Sequence, residues 1–260
     1  MTALDEHRVV LTGVSKSYRG DDGPTQVLAP TDLTIESGEF VCVVGPSGCG
    51  KSTLLNILAG FLAPTEGTVQ VGGRTVTGPS PDRGVVFQQP NLYPWLSVRK
   101  NVEFGPEVRG VPRDERRIEA ERMLTLVGLD HLGNRRPYEL SGGQQQRAQI
   151  ARVLVNDPQI ILMDEPFGAL DALTRENLQD ELRTLWRDRR KTVLFVTHSI
   201  DEALLLGTRV IVMGTRPGRI IYDNPTTFKT PHTTPTQART HPAFAHMRDE
   251  VSAHIYAAHA

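Results

Sequence analysis

Residues 40–53 read Phe40-Val41-Cys42-Val43-Val44-Gly45-Pro46-Ser47-Gly48-Cys49-Gly50-Lys51-Ser52-Thr53. The first five are apolar without a break, the pattern of a strand buried on both faces of a sheet. Glycines then punctuate the chain at 45, 48 and 50, and from Lys51 to Ala59 the spacing predicts a helix. The stretch fits G-x-x-x-x-G-K-[ST] between a strand and a helix. Glycines let the backbone curl until several N–H groups face one oxyanion, and the helix N-terminus adds its positive dipole end. Lys51 is then placed to reach the β- and γ-phosphates of a nucleotide, and the Ser52 hydroxyl to hold Mg²⁺. The candidate phosphate cradle is Gly45, Pro46, Ser47, Gly48, Cys49, Gly50, Lys51, Ser52 and Thr53.

Working outward, residues 9–11, 26–28 and 31–35 alternate as short strands, and 67–71 and 84–87 read the same way. From about 98 to 155 the pattern turns helical and charged, with 113–127 as its clearest helix. Strand and helix then alternate again: 160–163, 171–187, 192–197, 201–206 and 209–213. Such alternation predicts an α/β fold on a mostly parallel sheet, with a helical insertion at about 90–158. Residues 222–242 carry four prolines and seven threonines and read as a linker. After it Phe244, Met247, Val251 and Ile255 recur at helical spacing, so 243–260 is expected to be an amphipathic helix docking on its own domain.

Two further stretches carry chemistry. The apolar strand Ile160-Ile161-Leu162-Met163 ends in Asp164-Glu165, and function in such sheets gathers at the carboxyl ends of strands. Asp164 would complete a magnesium site and Glu165 would polarise an attacking water. Leu140-Ser141-Gly142-Gly143-Gln144 opens a helix in which Ser141 and Gln144 form a capping box. Capping does not need the two glycines, which weaken a helix. They make sense where the backbone must approach an anion closely.

The order of these motifs resembles the ATPase subunit of an ABC transporter: the P-loop, Leu-Ser-Gly-Gly-Gln-Gln-Gln-Arg147, the strand ending Asp-Glu, then Thr197-His198. The resemblance spans about residues 9–220. It implies a P-loop NTPase core with an antiparallel β subdomain and an inserted α-helical signature subdomain, in an ATPase domain over 1–221. It also implies a head-to-tail homodimer with two composite ATP sites, in which Ser141, Gly142, Gly143, Gln144 and Asp171 act on the partner's ATP. Tyr18 matches the aromatic that stacks on adenine, or is a strand-edge tyrosine. Gln88 matches the glutamine that touches Mg²⁺, with Gln89 as the rival. Asp171 also suits a helix N-cap, and His198, which precedes a Ser199-x-x-Glu202 capping box, matches the histidine that contacts the γ-phosphate. The implied metal ligands are Ser52, Gln88 and Asp164, the catalytic pair Glu165 and His198, and the cofactors ATP and Mg²⁺.

Composition narrows the class. The 29 basic and 30 acidic residues balance to −1, which argues against nucleic acid gripped through bulk charge. No apolar run approaches the roughly 20 residues of a membrane span. The two cysteines, Cys42 and Cys49, cannot build a disulfide framework, and a reduced intracellular protein is expected. An ABC ATPase without its own span implies a separate integral membrane permease, a peripheral place on the cytoplasmic face of the membrane, and indirect service to a solute-binding protein. Residues 91–105, Asp171-Ala-Leu-Thr-Arg, Arg216-Pro-Gly-Arg-Ile220 and the run from His241 to Glu250 are similar in texture to the nitrate/sulfonate/taurine importers. The alternative is a regulatory ABC ATPase driving a non-transport membrane complex.

Overall fold

The computed structural model describes residues 7–20, 23–230 and 233–258. In chain order its strands are β1 (Val9–Gly20), β2 (Gly23–Ile35), β3 (Phe40–Val44), β4 (Glu66–Val71), β5 (Arg74–Thr75), β6 (Arg83–Val86), β7 (Ile160–Asp164), β8 (Thr192–Val196), β9 (Arg209–Gly214) and β10 (Arg219–Pro225). The helices are α1 (Lys51–Ala59), α2 (Val98–Val108), α3 (Arg113–Leu126), α4 (Gly142–Leu154), α5 (Ala172–Arg189), α6 (Ile200–Leu206), α7 (Pro235–Thr240) and α8 (Pro242–Ala257).

A six-stranded sheet runs β10-β9-β3-β8-β7-β6, parallel throughout except for β10, and an antiparallel sheet runs β2-β1-β4-β5. The central strands explain why their sequences are unbroken apolar runs. Successive side chains of a strand point to opposite faces, and here both faces are covered. Phe40, Cys42 and Val44 join one core, together with Ile161, Met163, Val193 and Phe195. Val41 and Val43 join the other, with Ile160, Leu162, Leu194 and Val196. The first core is closed by α2–α6 and α8, the second by α1 and the antiparallel sheet. Helices α2, α3 and α4 fall between β6 and β7, where the helical insertion is expected, and pack on one another.

Two expectations change. Residues 9–11 and 26–35 are not isolated short strands: β1 and β2 pair over almost their whole length through shifts between Leu11, Val14, Lys16 and Ser17. Gly13, with φ of 57°, and Pro30, residue types that interrupt a regular ladder, sit at these bulges. Part of the supposed linker at 222–242 is regular structure, with residues 231–232 outside the described residues. Its first residues complete β10, pairing with β9, and α7 starts at Pro235 behind a Thr234–Gln237 capping box. The prolines misled because proline at the first helical position costs nothing. Helix α8 docks as its spacing predicts, with Phe244, Met247 and Val251 buried and Ile255 packed beside them. No helix among the described residues is long and apolar enough to cross a membrane.

Candidate functional site

The loop of residues 45–50 leaves the carboxyl end of β3 and turns straight into α1. Gly45, at φ of 151°, lies against β9: a Cβ there would meet the Met213 carbonyl oxygen at 2.4 Å, so no other residue fits. The Lys51 side chain is buried and folds back over the loop, its ammonium donating to the Gly45 and Pro46 carbonyls at 2.8 Å each. Among the described residues no carboxylate lies within ion-pair distance of it. A buried ammonium with no carboxylate in contact, held at the rim of a glycine loop, is arranged for an anionic ligand.

Asp164, at the end of β7, bonds the Ser52 hydroxyl at the start of α1. Burial pushes its carboxyl above the usual range and the Glu165 charge pushes the same way, while Ser52 and Lys51 pull it back. A hard divalent cation would relieve that cost and suits the oxygens of Ser52, Asp164 and the Gln88 amide. Among the described residues no group of three or more His, Cys, Asp or Glu could hold a metal ion. The single carboxylate and hydroxyl of Asp164 and Ser52 are the kind of donors with which Mg²⁺ is commonly bound alongside the phosphates of its substrate.

Glu165 has φ of 45°, left-handed backbone that costs a non-glycine residue about 1–2 kcal/mol. Its N–H donates to the Val196 carbonyl at 2.9 Å, so the β7–β8 ladder continues one residue past the strand and fixes the turn. The Glu165 carboxylate accepts from Gln88 Nε2 at 3.1 Å and lies 3.5 Å from His198 Nδ1. Three chain segments leaving adjacent parallel strands thus bring an amide, a carboxylate and an imidazole onto one point. Of the two glutamines, Gln88 is the one bonded to Glu165.

Further residues support this point. Ser199 and Glu202 were expected to cap α6 reciprocally, but only half of that box forms. The Ser199 Oγ accepts from the Glu202 N–H at 3.3 Å, while the Ser199 N–H turns to Thr197 Oγ1. The buried Glu202 carboxylate takes the Thr197 hydroxyl and Gln179 Nε2 instead, and burial raises its pKa. This network holds the residues on both sides of His198. Gln146 and Gln149 of α4, both buried, donate to the Phe87 carbonyl at 3.1 and 2.7 Å, and Gln149 Oε1 also accepts from the Asn91 N–H at 2.9 Å. They bind the segment around Gln88 to the helix that begins at Ser141. Glutamines buried in so polar a run are the signal that could have revealed them.

Ser141 and Gln144 form the expected capping box. A Cβ on Gly143 would press the Ala169 carbonyl at 3.1 Å, whereas one on Gly142 would meet nothing within 4 Å. Gly143 is thus explained by packing inside the chain and Gly142 is not. Asp171 caps α5 by accepting from the Thr174 N–H at 3.0 Å. The Thr174 bonds hold its carboxyl below the usual range, helped by the Arg147 charge. Ser141, Gly142 and Asp171 are exposed, and no side-chain hydrogen bond or ion pair joins residues 141–144 to the loop at 45–53. Tyr18 is also exposed, with the Lys16 ammonium 5.3 Å from its ring centre, and it borders a hollow lined by Asn56, Phe61, Leu62 and Phe87.

Known proteins agree with this architecture. Residues 28–168 match the family model described as ABC transporter. The taurine import ATP-binding protein TauB of Roseobacter denitrificans is 49% identical over 87% of this chain and 85% of its own. That of Sinorhizobium fredii is 48% identical over 92% of this chain and 91% of its own. A dimeric ATP-binding cassette solved in a post-hydrolysis state with ADP and Pi is 37% identical, with a TM-score of 0.77 over 84% of this chain and 98% of that one. Matched over more than half its length by that family model, and nearly half identical to these relatives over most of both chains, the chain belongs to the family of ABC transporter ATP-binding proteins.

Proposed function

We propose that the chain is the ATP-binding and ATP-hydrolysing subunit of an ABC importer, and that Glu165 activates the attacking water. The observation that carries this is the convergence of Gln88, Glu165 and His198 at 3.1 and 3.5 Å beside the glycine loop. Residues 45–53 cradle the β- and γ-phosphates, and Lys51 exchanges its loop carbonyls for phosphate oxygens. Ser52, Asp164 and Gln88 would hold Mg²⁺, which when bound would supply charge neutralisation at the phosphates. Glu165 accepts hydrogen from a water aligned with the γ-phosphorus, and His198 keeps the carboxylate turned towards it. The products are ADP and inorganic phosphate.

The second half of the site comes from a second copy of the chain, bound head to tail. Gly142 supports this: it is open on its own subunit, at a capped helix start whose N–H groups welcome a phosphate. Asp171 belongs to the same face, and the exposed ring of Tyr18 is the platform for adenine. A separate integral membrane permease contacts the segment at Gln88 and residues 93–98, and the subunit sits at the cytoplasmic face. The TauB relatives support a sulfonate such as taurine, or a similar small anion, as cargo handed over by a solute-binding protein. The test is Glu165→Gln. Hydrolysis should fall about a hundredfold or more while ATP binding persists; near-normal turnover would remove Glu165 from this role.

A further inference from the structure

A cavity of about 160 Å³ lies at the seam where the segment after β10 returns to the body of the domain. It has room for about five waters at liquid density. Arg183 and Trp186 of α5 and Thr208 line one side, and Thr226, Lys229 and Thr230 of the returning segment line the other. Two of these groups are cations. Lys229 Nζ donates to the Leu204 and Leu205 carbonyls at the end of α6, which leaves one of its three N–H bonds uncommitted. Arg183 donates to the Thr233 carbonyl, and its acidic neighbour Asp180, at 3.7 Å, is largely exposed.

Among the described residues no carboxylate lies within ion-pair distance of Lys229. The titratable groups that act on it are Arg183, which repels its proton, and Cys42, whose buried thiol stays protonated. The hydroxyls of Thr208 and Thr226 give their protons to the Phe40 and Gly207 carbonyls and serve as walls rather than donors. Among the described residues the Thr230 hydroxyl is shared only with Thr233, at 3.2 Å. The cavity therefore holds a lysine ammonium with no carboxylate in contact among the described residues, beside an arginine whose one acidic partner, Asp180, lies mostly in solvent. Burial of that charge pushes the Lys229 pKa down to about 7, and such a cost is relieved by a bound anion.

We propose that this cavity binds one compact oxyanion, a sulfonate, phosphate or carboxylate, between Lys229, Arg183 and Thr230. Nothing in the ATP site requires it. Because Lys229 and Thr230 belong to the returning segment and Arg183 to the body, the bound anion ties the C-terminal segment to the cassette.

Trp186 in the cavity wall reports the event. The chain has two tryptophans, so in Trp95→Phe protein all indole emission comes from Trp186. Full-length Trp95→Phe protein is saturated with ADP to occupy the loop at 45–53. It is then titrated with methanesulfonate, inorganic phosphate or acetate at constant ionic strength held with chloride. At least one of the three should give a saturable change in emission, and their ranking identifies the anion class. Lys229→Met and Arg183→Gln, each added to that background, should weaken the response about tenfold or more. Far-UV circular dichroism verifies that each variant folds, and the parent's saturation stands even if one does not. A response that stays linear for all three anions, or affinity that Lys229→Met and Arg183→Gln leave unchanged, overturns the proposal.

Discussion

Replacing Gln149 by Met separates the support of the glutamine segment from the chemistry itself. Met fills nearly the same volume, so no cavity opens, but both side-chain bonds vanish. The 2.7 Å bond to the Phe87 carbonyl contributes about 1–1.5 kcal/mol in its half-buried setting. The 2.9 Å bond from the Asn91 N–H contributes less, about 0.5–1 kcal/mol, because exposed Asn91 can turn to water. The Phe87 carbonyl keeps its Gln146 partner at 3.1 Å, so no full desolvation penalty follows. The total is about 2 kcal/mol, or about 4–8 °C in Tm for a chain of this size. ATP hydrolysis should drop more than nucleotide affinity, since Gln88 lies one residue from the freed carbonyl while Lys51 is untouched. Gln146→Met together with Gln149→Met strips both donors from that carbonyl, and the pair should cost more than the sum of the singles. Thermal melts, nucleotide titrations and steady-state hydrolysis on the three variants decide it. A Tm within 1 °C of wild type with unchanged kcat would refute the idea that these glutamines hold the segment.

Complementation tests the shared site. Lys51→Ala should lose tight ATP binding, and Ser141→Arg should keep nucleotide but not hydrolyse it. Mixed one to one, they should recover about a quarter of wild-type activity, since heterodimers retain one intact composite site; no recovery would exclude that architecture. The buried Lys229 makes a signed pH prediction. Its pKa is lowered from 10.5 to about 7, so between those values the unfolded chain carries the proton and the folded chain does not. Stability therefore rises with pH across that window and this contribution is weakest at or below pH 7. Urea melts at pH 7 and pH 10 should show a smaller rise for Lys229→Met than for wild type, and equal slopes would contradict the burial of this amine.

Much of the chemistry is written locally. The glycines at 45, 48 and 50, the Lys51-Ser52 pair, the strand ending Asp164-Glu165 and the capped start at Ser141 each satisfy a requirement met within a few residues. Such requirements leave residue types at set spacings, which is why these stretches are readable without a fold. The unbroken apolar runs of β3, β7, β8 and β9 also announce strands covered on both faces. The tail was half legible: its apolar spacing predicts α8, but its proline and threonine content hides the end of β10, which pairs back on neighbouring β9, and the capped helix α7.

Tertiary structure decided what depends on groups distant in sequence. Gln88 and Gln89 are equivalent as letters, and only the approach of β6 to β7 bonds Gln88 to Glu165 across 77 positions. Glu202 looks like a capping residue until the burial of α6 turns its carboxylate to Thr197 and Gln179. The two cations of the seam cavity come from α5 and from the chain beyond β10, and nothing in either stretch announces the other. The physical reason is the same in each case. Local backbone geometry selects residues by their own conformational limits, while long-range partners are selected by burial and unmet hydrogen bonds, which exist only once the sheets and helices have closed on each other.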